Sequence, residues 1–75
     1  MERVVGEQAL SVLVNGEPQS VPTGATVEVL LGLLGVRERR LAVAVNRNVV
    51  PRSRYDRVAL AAGDRIEILE AVGGG

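Results

Sequence analysis

Residues 10–21, LSVLVNGEPQSV, decide the fold. Leu10, Val12 and Val14 alternate with other residues up to Asn15-Gly16, and Val21 follows in a second run. Asn-Gly between two such runs is the strongest short-range signal for an antiparallel hairpin, because a type I′ turn needs positive φ at both central positions. Two strands therefore open the domain. Pro18 lacks the N–H that a central strand must donate, which makes the second strand an edge or bulged strand. The first nine residues show no periodicity and read as a flexible leader, 1–9.

Downstream of PTGAT the period changes. Val27, Leu30, Leu31 and Leu34 recur at i, i+3, i+4 and i+7, which predicts a short helix with one buried face. Thr23 or Thr26 supplies the N-cap, Glu28 lies in the first turn and Gly35 is the stop signal. Val29 and Leu33 are expected to widen the apolar stripe, while Gly32 weakens the helix by about 1 kcal/mol relative to Ala, so packing must hold it. A third strand follows with Leu41, Val43 and Val45 on one face and Ala42 and Ala44 on the other. It leads to a tight turn at Asn46-Arg47-Asn48 and a brief return through Val49-Val50 to Pro51. RSRYDRVALAAGD is an irregular loop, with a helical turn started by Ser53 and a closing turn at Gly63-Asp64. RIEILEAV ends the pattern, with Ile66 and Ile68 on one face and Glu67, Leu69 and Ala71 on the other. Strand, strand, helix, strand, short strand, strand is the order of a two-layer α+β domain with one covered and one open sheet face.

Composition narrows what such a domain can do. At 75 residues there is one small core, and below ~70–80 residues a single core rarely supplies more than about 3–5 kcal/mol. The chain has no Cys and no His, which excludes disulfides, thiolate or imidazole metal sites and Ser-His or Cys-His nucleophile pairs. A chain without disulfides fits a reducing compartment, and VLLGLLGV is too short to span a bilayer, so a soluble cytoplasmic protein with no membrane partner is expected. Net charge is zero, but seven of the nine Arg lie between Arg37 and Arg57. A basic segment can mark nucleic acid, yet Tyr55 is the sole aromatic residue and offers no stacking platform. A solvated arginine-rich surface is the expectation, with no nucleic-acid partner.

The sequence closes with AVGGG, 71–75, directly after a strand. Three glycines carry no Cβ, so they pass through channels closed to side chains and reach about 10 Å beyond the strand. The group such a tail would present is its own carboxylate at Gly75. A partner that adenylated it would make a mixed anhydride open to attack by sulfur, with no His, Cys or metal needed in this chain. Glycines also occur at frayed termini, and the tail alone does not choose between these readings.

With the strand order and the tail together, the sequence resembles the ubiquitin-like β-grasp sulfur carriers, and within them the ThiS family of thiamin biosynthesis. The resemblance rests on VNGEPQSVPTGATVEVLLGLLG (14–35), AVAVNRNVVPRSRYD (42–56) and AAGDRIEILEAVGGG (61–75), in family order and spacing. It implies a β-grasp domain over 10–72, with a mixed sheet of about five strands and one main helix across one face, and a flexible tail, 73–75. It implies a carrier rather than an enzyme, with no catalytic residue, metal or cofactor of its own. Gly75 would be adenylated by a ThiF-type adenylyltransferase using ATP and Mg²⁺, then converted to a thiocarboxylate with sulfur from a sulfurtransferase and cysteine desulfurase system. A ThiG-type thiazole synthase would take that sulfur for thiazole formation. Gly73, Gly74 and Val72 would thread into the partners' sites; Val72 either anchors there or closes the domain's own core edge.

The docking face is expected on the open side of the sheet, where Leu69 and Ala71 would lie near Ala42 and Ala44. Arg65, Glu67 and Glu70 flank the tail and either steer docking or are solvated strand charges. Three alternatives share the fold. A molybdopterin synthase small subunit would also carry a thiocarboxylate, but its tail follows a Pro-containing approach where this chain has Glu70-Ala71-Val72. A protein-conjugating modifier would form an isopeptide bond through Gly75. A non-covalent β-grasp binding module would leave the tail idle.

Overall fold

A computed structural model describes residues 9–36 and 41–70. The elements run β1 (Ala9–Val14), β2 (Glu17–Pro22), α1 (Val27–Leu34), β3 (Leu41–Val45), β4 (Asn48–Val50) and β5 (Arg65–Glu70), with a 3-10 helix at Arg52–Arg54. β1 starts at Ala9, where the leader was expected to end. Residues 1–8 of the expected leader, 1–9, and residues 71–75, which include the expected tail, 73–75, lie outside the described residues.

Asn15 at φ 50° and Gly16 at φ 87° form the primed turn that the Asn-Gly signal requires. The two strands pair in register from Ala9↔Pro22 to Val14↔Glu17, with Pro18 opposite Leu13. Order across the sheet is β2-β1-β5-β3-β4, so β2 is an edge strand, as Pro18 predicts. A second primed turn at Asn46 (φ 52°) and Arg47 (φ 73°) joins β3 to β4. It takes two residues, and Asn48 already belongs to β4. β5 sits at the centre, antiparallel to β3 from Leu41↔Glu70 to Val45↔Ile66 and parallel to β1 at Leu13↔Arg65 and Val14↔Ile66. The sheet is therefore mixed, with five strands and α1 across one face.

Each end of α1 is chemically closed. The N–H groups of Val27 and Glu28 donate to the carbonyls of Val58 and Tyr55 at 3.0 and 2.9 Å. Val29 N–H donates to Thr26 Oγ1 at 3.3 Å and Leu30 N–H to the Thr26 carbonyl at 3.0 Å. All four donors of the first turn thus have partners, two of them supplied by the loop between β4 and β5. At the other end Gly35, at φ 73°, donates to Gly32 while Val36 donates to Leu31, which is the Schellman arrangement. Gly35→Ala forces a Cβ into the left-handed region and is expected to cost about 1 kcal/mol, read as a lower midpoint in urea unfolding.

The core is the layer between α1 and the sheet. Val12, Val21, Val27, Leu30, Val43 and Ile66 are its fully buried side chains, joined by Leu31, Leu60 and Ile68. Two expectations need correction. Val29 and Leu33 do not widen the buried stripe; they are 43% and 54% exposed, because α1 has a sheet on one side only. Ser53 does not start the helical turn either: Pro51 precedes it without a side-chain cap, and Ser53 lies inside the turn. The loop is nonetheless tied down, since Leu60 N–H donates to the Ala25 carbonyl at 2.8 Å and Ala59 bridges to Thr26.

Candidate functional site

β5 links the two parts of the site, an open sheet face and the exit toward the glycines. Its buried residues, Ile66 and Ile68, face α1, so Arg65, Glu67 and Leu69 face the other way. Residues directly opposite in an antiparallel pair share a face. Ala42 pairs with Leu69, and Ala44 with Glu67, so the structure brings Leu69, Ala42 and Ala44 together on the open side. Ala71 lies outside the described residues, as do Val72, Gly73, Gly74 and Gly75.

Two further apolar residues join this face. Val49, opposite Ala44, is 75% exposed, and Leu69 is 68% exposed. Leu13, half-buried on β1, stands beside Arg65 and lines a shallow groove with Asn15, Glu67 and Leu69. The sequence signals these two weakly. Leu13 falls between the alternating valines of β1, and Val49 sits in a three-residue strand too short to show a period. Among the described residues nothing packs over Leu69 or Val49, and the small Ala42 and Ala44 make a flat strip between them. A partner could bury this surface without displacing any of the described residues. Arg65 and Glu67, both exposed, give the strip a charged margin of both signs.

A network at the opposite end of β5 anchors the strand. Asn46 Nδ2 donates to Asp64 Oδ1 at 2.9 Å, and Arg65 N–H donates to Asn46 Oδ1 at 2.9 Å. Asp64 Oδ2 accepts from Ala61 N–H at 2.8 Å, and the Asp64 carbonyl accepts from Leu13 N–H at 2.9 Å. Asp64 and Asn46 therefore lock the start of β5 to the β3–β4 turn, the preceding loop and β1. None of these side chains is placed for covalent chemistry. Among the described residues no three Asp or Glu gather in a way that could hold a metal ion. Beyond Glu70 the sequence continues as AVGGG, 71–75, outside the described residues.

Comparison with known proteins bears on that end. A family model described as the ThiS family matches residues 12–75. The chain is 44% identical over 66 residues to a thiazole synthase of Paramagnetospirillum magneticum, covering 88% of this chain and 20% of that protein. Escherichia coli sulfur carrier protein ThiS is 30% identical over 66 residues, covering 88% of this chain and all of that protein (100%). Among solved structures, the thiamine biosynthesis protein ThiS of Geobacter metallireducens superposes with a TM-score of 0.76 at 32% identity, covering 88% of this chain and 100% of that one. The chain spans only 20% of the length of the thiazole synthases it matches, a second of which, from Magnetococcus marinus, is 39% identical.

Proposed function

The chain belongs to the ThiS family of β-grasp sulfur carriers, and on that premise we propose that Gly75 is the sulfur-bearing residue, loaded and unloaded by other proteins for thiazole formation in thiamin biosynthesis. The observation that carries this reading is that the family match runs through residue 75 and so includes Gly73–Gly75. The chain's composition supports it, because with no Cys and no His the carrier must present sulfur on a group other than a side chain. The thiazole branch is favoured over molybdopterin because two proteins named thiazole synthase contain segments 44% and 39% identical to this chain.

The chemistry assigned to the tail proceeds in balanced steps. A carboxylate oxygen of Gly75 attacks the α-phosphorus of ATP and pyrophosphate leaves, giving the acyl-adenylate. A persulfide sulfur then attacks the glycyl carbonyl carbon, AMP leaves, and an acyl disulfide forms. A thiol of the sulfur-donating system reduces that bond, releasing the thiocarboxylate and becoming oxidised to a disulfide. In this scheme a ThiF-type adenylyltransferase performs the first step and a ThiG-type thiazole synthase accepts the sulfur. Gly73, Gly74 and Val72 enter the partners' channels, and the strip of Leu69, Ala42, Ala44 and Val49 docks against them, with Ala71, two residues beyond Leu69 in sequence, assigned to the same contact. This chain itself catalyses no step.

Intact-mass measurement after incubation with a ThiF-type enzyme, ATP and a sulfur donor tests the reading. The expected result is exchange of one oxygen for sulfur at Gly75; an unchanged mass with a demonstrably active enzyme would overturn it. Reconstitution with a thiazole synthase and, separately, with a molybdopterin synthase large subunit separates the branches. For the docking strip, Leu69→Glu places a charge on a surface that must be dehydrated on binding. Unfolding free energy is expected to move by no more than about 0.5 kcal/mol, whereas the carrier's KM with the adenylating enzyme rises roughly tenfold or more. An unchanged KM would move the docking surface elsewhere.

A further inference from the structure

Beyond Ile66, β5 has no backbone partner on its β1 side among the described residues, because β1 pairs with it only through Val14↔Ile66 and then turns at Asn15. The Ile68 peptide is held there by a side chain. Ile68 N–H donates to Asn15 Oδ1 at 2.9 Å, and Asn15 Nδ2 donates to the Ile68 carbonyl at 3.2 Å. One bond needs an acceptor and the other a donor, so the two together orient the carboxamide. The arrangement reproduces what a neighbouring strand's peptide would offer, across 53 residues of sequence. Asn15 N–H also donates to the Ile66 carbonyl at 2.8 Å, so backbone and side chain of one residue continue the parallel ladder past the end of β1.

Asn15 stands where two surfaces meet. It lines the open-face groove with Leu13 and Leu69, and it lines a second groove with Leu34, Val36 and Glu70 at the far end of β5. The chain leaves Glu70 toward the glycines from this point. We propose that Asn15 is a positioning residue for the tail: its carboxamide sets the direction in which the chain departs relative to the docking strip. The inference rests on the sulfur-carrier reading. Glycines add no stiffness, so their direction is set by the last peptides that are held. The strip and the tail must engage an enzyme together, and two linked contacts reinforce each other only when their linkage lets both form. The other edge of β5 is already paired to β3 as far as Leu41↔Glu70. Losing the carboxamide therefore loosens one side of the strand end without removing the strand.

The test compares Asn15→Gly, which keeps a residue suited to φ 50° but removes the carboxamide, with Gly16→Ala, which strains the same turn at φ 87° and keeps it. Asn15→Asp, which retains the acceptor for Ile68 N–H and loses the donor, serves if the glycine variant does not fold. Amide hydrogen exchange at Ile68 and steady-state adenylation by a ThiF-type enzyme are measured on all three and on the unmodified protein. In Asn15→Gly, Ile68 exchange is expected to rise about tenfold or more, and the carrier's KM roughly tenfold. Gly16→Ala is expected to lower global stability while leaving KM unchanged. Adenylation of Asn15→Gly with an unaltered KM, or an equal KM rise in Gly16→Ala, overturns the proposal. If the unmodified protein is not adenylated, the carrier reading fails and the tail role fails with it; Ile68 exchange still reports the carboxamide bonds.

Discussion

Deleting Gly74 and Gly75 is expected to abolish thiocarboxylate formation while leaving thermal unfolding unchanged. The two effects separate because the described core lies wholly between Val12 and Ile68. None of its members is in the tail. Truncation leaves Gly73 as the terminal residue, shortening the tail by about 7 Å. An adenylating site that receives the tail would then miss the carboxylate by far more than the fraction of an ångström that in-line attack tolerates, and a misplacement of about 1 Å already costs on the order of a hundredfold. The expected readout is no adenylate by intact mass, with the circular-dichroism melting curve superimposed on that of the full chain. Retained sulfur transfer by the truncated protein would remove Gly75 from the mechanism.

Leu30→Ala is expected to leave the protein mostly unfolded at 25 °C. Leu30 is 0% exposed and lies at the centre of the layer between α1 and the sheet. Truncating a leucine in such a position costs about 2–5 kcal/mol through lost transfer energy and the cavity left behind. A domain of this size has about 3–5 kcal/mol in all, so one substitution removes most of the margin. Leu33→Ala is the matched control: the same side chain three residues along the same helix, 54% exposed, with an expected change within about 0.5 kcal/mol. Urea unfolding followed by far-ultraviolet circular dichroism checks both. A cooperative transition for Leu30→Ala at the unsubstituted midpoint would contradict the packing described for α1.

The contrast between Leu30 and Leu33 shows what periodicity could and could not convey. The i, i+3, i+4, i+7 pattern located α1 and its inward residues. It could not tell that Val29 and Leu33 face solvent, since the width of a buried stripe depends on how many surfaces pack around the helix. The caps divide in the same way. Gly35 was legible, and Thr26 as one of two candidate caps beside Thr23, because their chemistry is local, whereas the Val58 and Tyr55 carbonyls that complete the helix N-terminus come from a loop with no pattern of its own. On the docking strip, alternation placed Leu69, Ala42 and Ala44 on the outward faces of their strands. Val49 and Leu13 joined them only through the register of neighbouring strands.

What the sequence by itself determined was the order of the main elements and the first hairpin turn: period two for the longer strands, period 3.6 for α1, and Asn-Gly for the turn between β1 and β2. These depend on backbone conformations that a few adjacent residues dictate. It also carried the family resemblance, which the ThiS family match over residues 12–75 bears out. Tertiary structure decided the rest. The parallel pairing of β1 with β5 has no local signature, because it joins segments some fifty residues apart whose hydrophobic patterns would fit either direction. That pairing brings Asn15 beside Ile68 and gives a residue chosen for its turn a second partner at the base of the tail. A side chain's second role of this kind appears only when the chain has closed, since the donor and acceptor it satisfies belong to a strand it does not meet until then.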